Sequence, residues 1–569
     1  MEFLGNLKRF IVGRALRTEQ AIHERLTKKV ALAVFSSDAL SSTAYATEEI
    51  LLVLATAFAF GAAGAFAYVI PISIAIAILL IIVSVSYRQT IHAYPSGGGA
   101  YIVAKENLGT LAGLTAAASL LVDYVLTVSV SVAAGVAALT SAAQGTRLAW
   151  LSDYRVSIGV GFIVFICLAN LRGVRESGAL FATPTYAFLI SFLFMVGFGL
   201  IKYFAGGEVA SQPPSEDMAL AVGYIPQPLS LFLLLGAFSN GCAALTGIEA
   251  ISNGVMAFKQ PESRNAARTL IVMAILLCTM FLGTSVLAYL YGIHPKESET
   301  VISQFARLIF TGPVGWFYFV VQFATAAILI LAANTAFADF PRLSSLLARD
   351  RFIPRQFANR GDKLVFSNGI VILAIFSSLL VIVFAGDTSR LIPLYAVGVF
   401  LSFTLSQAGM VRHWIKVRRF ENYDDLIHTS QVESDISIPD LHLAIEQSRA
   451  PRFVTDEVTE RVHWKKSLAI NLIGAIATAI VLTVFIATKF VHGAWLVVVM
   501  IPLLVLMFLA IHRHYVSVAT QLSLEKISDT LEPIKNTVIV PISGIHRGVM
   551  NALRYAKSIS PESVTAVYV

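Results

Sequence analysis

The composition of this 569-residue chain excludes a water-soluble enzyme. Hydrophobic residues make up 56% of it and charged residues 14%, with a mean hydropathy of +0.74, whereas about 25% of an ordinary globular chain is charged. The net charge of +7 leaves nucleic acid binding and membrane topology as explanations of the basic excess. Cys167, Cys242 and Cys278 lie in apolar runs without paired spacing, which supports neither disulfides nor a zinc site.

Apolar segments of bilayer-crossing length recur along the whole chain. About 20 mostly apolar residues span the hydrocarbon core of a bilayer. Twelve segments meet this requirement, near residues 30–56, 66–87, 111–141, 156–170, 180–204, 228–256, 268–292, 313–340, 366–386, 389–412, 466–488 and 493–511. Residues 1–29 are rich in lysine and arginine and contain no uninterrupted apolar core. They predict a cytoplasmic amphipathic helix, not a cleaved signal peptide.

The distribution of basic residues predicts the orientation of the chain. With a cytoplasmic N-terminus and twelve spans, 35 of the 42 lysine and arginine residues fall on the cytoplasmic side. Because cytoplasmic loops retain positive residues, this distribution supports both the orientation and the number of spans. Topology and attraction to lipid then explain the basic excess, and nothing in the sequence calls for nucleic acid.

Two segments are predicted to lie in the cytoplasm beyond the ten-span core. Residues 413–465 form a mixed-charge connector, and residues 466–511 return to the membrane as spans eleven and twelve. Residues 512–569 begin as a linker and continue as a strand, a helix and a strand, the opening of a parallel α/β domain. Such a domain needs more strands to close, so we expect the sequence to end within it.

Spans one and six contain related stretches of small and hydroxyl residues. The first covers residues 33–45 (AVFSSDALSSTAY) and the second residues 236–249 (GAFSNGCAALTGIE). They lie five spans apart, and an odd number of spans makes a repeat inverted. Paired interrupted spans mark the substrate site of inverted-repeat transporters. Small residues also serve close helix packing, but two stretches in register, each with an acid, favour a binding site.

Three acids lie at predicted membrane depth, where a carboxylate costs roughly 2.5–3.5 kcal/mol. They are Asp38, Asp123 and Glu249. Hydroxyl groups that share a helix face or a break with these acids, or lie deep in span ten, complete the candidate set: Tyr45, Thr127, Ser131, Thr246 and Tyr395. Glu48, Glu49 and Asp339 are expected near helix ends, where water is close, with a structural or gating role.

The candidate groups offer carboxylate, hydroxyl and backbone carbonyl oxygens, which suit a desolvated monovalent cation. Asp38 would repel the carboxylate of an amino-acid substrate, although an amine could still use it. An amino-acid permease, and a channel or membrane sensor, stay open as alternatives. No phosphate loop, metal-ligand spacing or nucleophile motif supports an enzyme.

Three motifs carry a family resemblance. Residues 94–101 (YPSGGGAY) and 258–265 (FKQPESRN), with the internal repeat, resemble the amino acid, polyamine and organocation permease superfamily. Residues 36–50 (SSDALSSTAYATEEI) are similar to the KimA-type bacterial potassium importers, relatives of the Kup potassium permeases. The triple glycine alone is less specific, because a flexible turn would also explain it.

The resemblance implies an all-α polytopic membrane protein. Its core, residues 30–412, would be a LeuT-like five-plus-five inverted repeat with broken helices one and six, followed by two extra helices and a tail like a universal stress protein. The implied activity is high-affinity, proton-coupled potassium symport in the bacterial inner membrane, with K⁺ and H⁺ as transported ions and no cofactor. A homodimer regulated by cyclic di-AMP is also implied.

The resemblance also assigns roles to residues. The implied potassium-binding positions are Asp38, Tyr45, Asp123, Thr127, Ser131, Thr246, Glu249 and Tyr395. The acids Asp38, Asp123 and Glu249 are the implied candidates for proton coupling. The glycine-containing nucleotide loop expected in such a tail is not found within these residues, so cyclic di-AMP binding cannot be assigned to particular side chains.

Overall fold

The fold is almost entirely helical, as the sequence predicts. The computed structural model describes residues 25–95, 97, 99–144, 146–172, 174–206, 218, 220, 225–296, 299–359, 366–430, 464–522, 537–559 and 563–568. The chain divides into two compact units, Met1–His512 and Arg513–Val569. The predicted helix at residues 1–29 and the connector at 413–465 lie largely outside the described residues.

The described helices of the larger unit are numbered here in chain order. They are α1 (Lys28–Phe35), α2 (Ser37–Ser41), α3 (Thr43–Ala59), α4 (Val69–Ala93), α5 (Gly99–Leu108), α6 (Thr110–Ala143), α7 (Arg155–Leu171), α8 (Val174–Phe204), α9 (Leu231–Gly241), α10 (Ala250–Asn253), α11 (Glu262–Tyr291), α12 (Val301–Ile309), α13 (Phe317–Arg349), α14 (Ser367–Val383), α15 (Thr388–Ser430) and α16 (Trp464–Lys489). A π-helical segment, Phe490–Ala494, joins α16 to α17 (Trp495–Gln521), which extends into the second unit.

Among the described residues, ten helical segments are long and apolar enough to cross a membrane. Two of the twelve predicted spans, the first and the ninth, are not among these ten because their helices are too short. The first span is divided among α1, α2 and α3, so that no single piece reaches the required length. The ninth corresponds to α14, whose 17 residues rise about 26 Å at 1.5 Å per residue.

Helix α6 lies at the centre of the larger unit. Its most apolar stretch is 83% buried, and it packs against α5, α13 and α15. Its 34 residues include many alanines, serines and glycines and no proline. Small residues allow neighbouring backbones to approach closely. Gly135 illustrates this, because a Cβ there would lie 2.7 Å from Ile330 Cγ1 of α13.

Helix α16, which follows the ten-span core, is bound to that core by polar contacts. Asn471 accepts a hydrogen bond from Ser86 of α4 at 2.6 Å and donates one to Gln89 of the same helix. Gly474 leaves room for Gln407 of α15, whose Oε1 would lie 1.6 Å from a Cβ at that position. Buried polar contacts of this kind fix how two helices pair.

The predicted interruption of the first span is a bend. Ser36 separates α1 from α2 and Ser42 separates α2 from α3, both with helical dihedral angles. The hydroxyl of Ser42 donates to the Ala39 carbonyl at 2.6 Å, and Ser41 donates to the Asp38 carbonyl at 2.8 Å. Such back-bonding bends helices, and the backbone still bonds in the i to i−4 pattern across both serines.

The interruption of the sixth span is a true unwinding. After α9 the chain forms a 3₁₀ turn, Cys242–Leu245, and then becomes extended at Thr246, with φ −67° and ψ 150°. Gly247 follows with φ +78°, a conformation that L side chains rarely adopt. Helix α10 then begins at Ala250. Non-helical backbone at membrane depth is tolerated only inside protein or beside a wet cavity.

The described part of the second unit contains the predicted strand–helix–strand. Strands β1 (Thr537–Ile542) and β2 (Ser563–Tyr568) pair in parallel, with Thr537 opposite Ser563 and Ile542 opposite Tyr568. Helix α18 (Arg547–Ser558) lies between them in sequence and buries Val549 and Ala556. A parallel pair requires such a crossover connection.

The close approach of α6 and α13 predicts that Gly135→Ala destabilises the protein by about 1–3 kcal/mol, because the added methyl group overpacks the contact. Its Cβ would also lie 3.2 Å from the Ile330 backbone nitrogen, which cannot move aside as a side chain can. Gly161→Ala is the matched control, since no atom lies within 4 Å of the place that a methyl group would take at that helical glycine. We expect a lower melting temperature in detergent for the first variant and an unchanged or higher one for the control.

Candidate functional site

The bend of the first span and the unwound segment of the sixth lie against each other. A Cβ on Gly247 would lie 2.7 Å from Asp38 Oδ2 and 2.8 Å from the backbone nitrogen of Ala39. The hydroxyl of Ser42 also lies 3.4 Å from the carbonyl oxygen of Ala244. Only glycine satisfies both the positive φ and the close approach, so Gly247 brings the unwound backbone beside the Asp38 carboxylate.

Helix α6 contributes a second acid, together with a hydroxyl group on the same helix face. Asp123 is buried, and Thr127 follows one turn later on the same face. The Thr127 hydroxyl donates to the hydroxyl of Tyr395 at 3.2 Å. Gly398, one turn after Tyr395 on α15, lets that helix approach α6, since its Cβ would lie 2.9 Å from the Ser119 carbonyl oxygen.

The buried acids are electrostatic neighbours. Asp123 interacts with Asp38 and Glu249, and Glu249 also interacts with Asp38. One oxygen of each carboxylate, Asp38 Oδ1, Asp123 Oδ1 and Glu249 Oε2, is buried without a hydrogen-bond partner among the described residues. Buried polar atoms are normally paired. Three acceptors without donors therefore indicate a site built for a positively charged ligand.

Asp339 lies closer to the site than its sequence context predicts. The sequence places it near a helix end close to water, but it lies ten residues before the end of α13 with 2% of its surface exposed. Its carboxylate interacts with Asp38 and Glu249 and accepts a hydrogen bond from Arg342 at 3.3 Å. The proline at position 341 suggests a break, yet the helix continues through it.

Tyr45 connects these acids to a cavity of about 430 Å³. Its side chain hydrogen-bonds Thr246 and is an electrostatic neighbour of Asp38 and Asp123. The cavity extends from Tyr45 to the connections around residues 144–155, 296–300 and 386–389. Acidic residues outnumber basic ones in its lining, which includes Glu48, Glu49, Glu299 and Asp387 against Arg155 and Lys296. A low-dielectric cleft lined by acids concentrates cations.

The opposite side of the acid cluster is packed closed. A Cβ on Gly99, in the triple-glycine segment, would lie 1.6 Å from Asn253 Oδ1. Asn253 donates to the hydroxyl of Tyr124 at 2.8 Å, and its carbonyl accepts from Arg342 at 3.4 Å. Gly97 and Gly99 both have positive φ. This segment is thus a packed element of the helix ends and not merely a flexible turn.

The structure connects seven of the eight predicted positions through contacts or charges. They are Asp38, Tyr45, Asp123, Thr127, Thr246, Glu249 and Tyr395. Ser131 is buried on α6 and is placed by helix register, two turns beyond Asp123. Two charged residues that sequence reasoning does not assign to the site lie beside acids around it: Arg342 beside Asp339, and the buried Lys489 beside Glu49.

The acids do not form a tight chelate. Among the described residues no group of three histidine, cysteine, aspartate or glutamate side chains could hold one metal ion. A divalent metal bound by protein side chains normally needs several such ligands at short range. A weakly hydrated monovalent ion, coordinated by hydroxyl and carbonyl oxygens between the carboxylates, suits this arrangement better.

Comparison with known proteins gives consistent results. A family profile described as amino acid permease matches residues 29–508, and one described as the KimA potassium transporter C-terminal domain matches residues 534–569. The chain is 45% identical to the potassium transporter KimA of Bacillus subtilis (strain 168) over 565 residues, which cover 99% of this chain and 83% of that protein. A solved mutant manganese transporter of Eremococcus coleocola aligns with 87% of this chain and 96% of its own, at 11% identity. Its TM-score of 0.39 is too low to support a conclusion.

Because Gly247 lies against Asp38, Gly247→Ala should destabilise the protein by more than the cost of an L residue at a positive φ alone. Left-handed backbone costs an L residue about 1–2 kcal/mol, and the added methyl group would also collide with Asp38. Gly206→Ala isolates the first contribution, because Gly206 has φ +74° and nothing within 4 Å of a Cβ. Melting temperatures in detergent should fall modestly for the control and clearly further for Gly247→Ala. Equal falls would mean that the contact with Asp38 is not tight.

Proposed function

We propose that this chain, which belongs to the amino acid permease family, imports potassium. Membership in a permease family makes it a multi-pass membrane transporter and not an enzyme, and the family indicates no cofactor. One observation carries the choice of substrate: buried carboxylates with unpartnered oxygens surround an unwound membrane segment. Its relative at 45% identity is a potassium transporter, in agreement with that chemistry.

The proposed potassium site consists of the eight predicted residues, Asp38, Tyr45, Asp123, Thr127, Ser131, Thr246, Glu249 and Tyr395. The carboxylates supply negative charge, and the hydroxyl groups and the carbonyls of the unwound segment supply neutral oxygens. Such oxygens replace the hydration shell of K⁺. Arg342 forms an ion pair with Asp339. Because this partner compensates part of its charge, we place Asp339 at the edge of the site.

Transport would proceed by alternating access around this site, as in inverted-repeat permeases. In the proposed orientation, with a cytoplasmic N-terminus, the cavity that reaches Tyr45 opens to the outside. The packing of Gly99 on Asn253 then closes the cytoplasmic end. The moving parts would be the divided helices of spans one and six, whose proposed inverted relation places one break beside the other.

Coupling to protons requires an acid whose protonation differs between the outward and inward states. Asp38, Asp123 and Glu249 are the proposed candidates, since each is buried and interacts with the others. A bound cation favours the charged form of a carboxylate and burial disfavours it, so ion release and protonation are linked. The membrane potential adds about 2.3 kcal/mol per 100 mV for each positive charge carried inward.

An amino-acid substrate is the second candidate, and the description of the family profile favours it. Permeases bind a substrate carboxylate at exposed backbone N–H groups of broken helices. Here the first span is bent without unwinding, and the opened backbone of the sixth lies against the Asp38 carboxylate. That arrangement favours a cation over an anionic group.

We extend the proposal to the second unit. A homodimer and regulation by cyclic di-AMP rest on the family resemblance, and the match of residues 534–569 to a KimA C-terminal domain supports it. Light scattering in detergent tests the dimer, and titration of cyclic di-AMP with the full chain tests the nucleotide. A monomeric protein would contradict the proposed homodimer, and an absence of nucleotide binding would contradict regulation by cyclic di-AMP.

The proposed site predicts that Asp38→Asn, Asp123→Asn and Glu249→Gln each reduce rubidium uptake into proteoliposomes by about 100-fold, because each removes a buried charge worth several kcal/mol. Asp153→Asn, at an exposed acid of the same type, is the control and should retain uptake. Variants are compared only when they elute as monodisperse protein. Full uptake by all three site variants would contradict the proposed site.

Rubidium accumulation that is driven by an imposed proton gradient should stop when a protonophore collapses that gradient. Proton coupling links the two fluxes, so removing the proton gradient removes its share of the driving force. Uptake that is indifferent to protons would indicate a uniporter. Accumulation of an amino acid, or displacement of rubidium by one, would favour the second candidate.

A further inference from the structure

Lys489 stands out among the charged groups that the transport site does not use. Among the described residues it is the one lysine or arginine that is fully buried, with 1% of its surface exposed. It ends α16, a helix outside the ten-span core, directly before the π-helical connection. Sequence topology places it in a short external loop, where a lysine would be hydrated.

Glu49 is the electrostatic partner of Lys489. This acid is also buried, with 4% of its surface exposed, and lies on α3 one helical turn after Tyr45. It lines the same cavity as Tyr45. A cation that moves through the cavity toward Tyr45 therefore passes a carboxylate whose charge is opposed by Lys489.

Helix α9 holds the two partners together through consecutive residues. The side chain of Asn240 donates to Glu49 Oε2 at 2.9 Å. The preceding residue, Ser239, accepts a hydrogen bond from Thr488, the neighbour of Lys489, at 3.4 Å. The junction thus joins α3, which lines the cavity, and α9 to α16.

Two further acids lie around Glu49. Asp387 lies in electrostatic range of Glu49, and so does Glu48. Asp387 pairs with Arg390 at 3.1 Å, where both side chains are at least one-third exposed. Lys489 is thus the buried positive charge among these carboxylates in the described part of the chain.

We propose that Lys489 neutralises Glu49 at the cavity wall, so that the cavity passes a cation to the inner acids without retaining it. A transport path requires binding favourable enough for entry and weak enough for exit. Without Lys489, the Glu49 carboxylate would be an uncompensated charge in a confined space and would hold the cation. Lys489 is accordingly a positioning residue, and this inference rests on the proposed cation transport.

Three variants test the pair by rubidium uptake in proteoliposomes. Lys489→Met should lower KM by about threefold and kcat by about tenfold, because the cation is retained. Glu49→Gln, which keeps an oxygen for Asn240, should raise KM by about tenfold, because the ammonium group, once deprived of this carboxylate, repels the cation. The double variant E49Q/K489M should return both constants to within about threefold of the parent, since replacing both partners of a buried pair is nearly neutral.

Two further variants distinguish the loss of a buried charge from a general defect in folding. Lys489→Arg keeps the charge and should retain uptake, whereas failure equal to that of Lys489→Met would overturn the inference. Arg307→Met removes the partner of another cavity acid, Glu299, at 2.8 Å. The Arg307 side chain is 58% exposed, so water replaces it and uptake should stay within about twofold.

A stability measurement keeps this inference distinct from the proposed function. Melting temperatures of the parent, both single variants and the double variant give the coupling between Glu49 and Lys489 without any transport. Coupling in stability with unchanged KM and kcat in both single variants would leave a structural ion pair and overturn the transport role. Absence of rubidium uptake by the parent would instead refute the proposed function.

Discussion

Inside a bilayer, every backbone polar group must find its partner within the protein. The segment from Cys242 to Glu249 departs from α-helical bonding at membrane depth, and the surrounding helices are arranged around it. The bent first span covers one side, with Gly247 pressed against Asp38. Helix α6 supplies Asp123 from another. The unwound backbone and the buried carboxylates therefore lie in one enclosure, which defines the chemistry of the proposed site.

Much of the proposed site could be assembled from the sequence because charges inside apolar runs are conspicuous. Asp38, Asp123 and Glu249 stand out in sequence without any structure, and helix periodicity adds Thr127 and Ser131. The difference between the two breaks is less visible. Both stretches are rich in small residues, but only the second carries a glycine at the position that needs positive φ, so only the second unwinds. Serines in the first satisfy the backbone from their own side chains.

The surroundings of charged residues near apparent helix ends could not be predicted in the same way. Asp339 precedes Pro341, and proline often ends a helix, yet α13 continues and buries the acid. Lys489 lies between two apolar spans, where sequence topology predicts an external loop. Lys489 itself is nevertheless buried, although Phe490 and Val491 of the π-helical turn that follows are exposed. In both cases the deciding information is which distant helix lies opposite, and no local pattern contains it.

The pairing of Glu49 with Lys489 also bears on how the chain is made. Lys489 follows Glu49 by 440 residues in the sequence, so at about 5–20 residues per second the acid enters the membrane tens of seconds before its partner exists. Asn240 of α9 arrives between the two and offers a first hydrogen bond. Chains interrupted before α16 would keep an unneutralised acid in a lipid-embedded segment. Helix α16 thus completes the electrostatics of α3, and this part of the assembly waits until α16 has been translated.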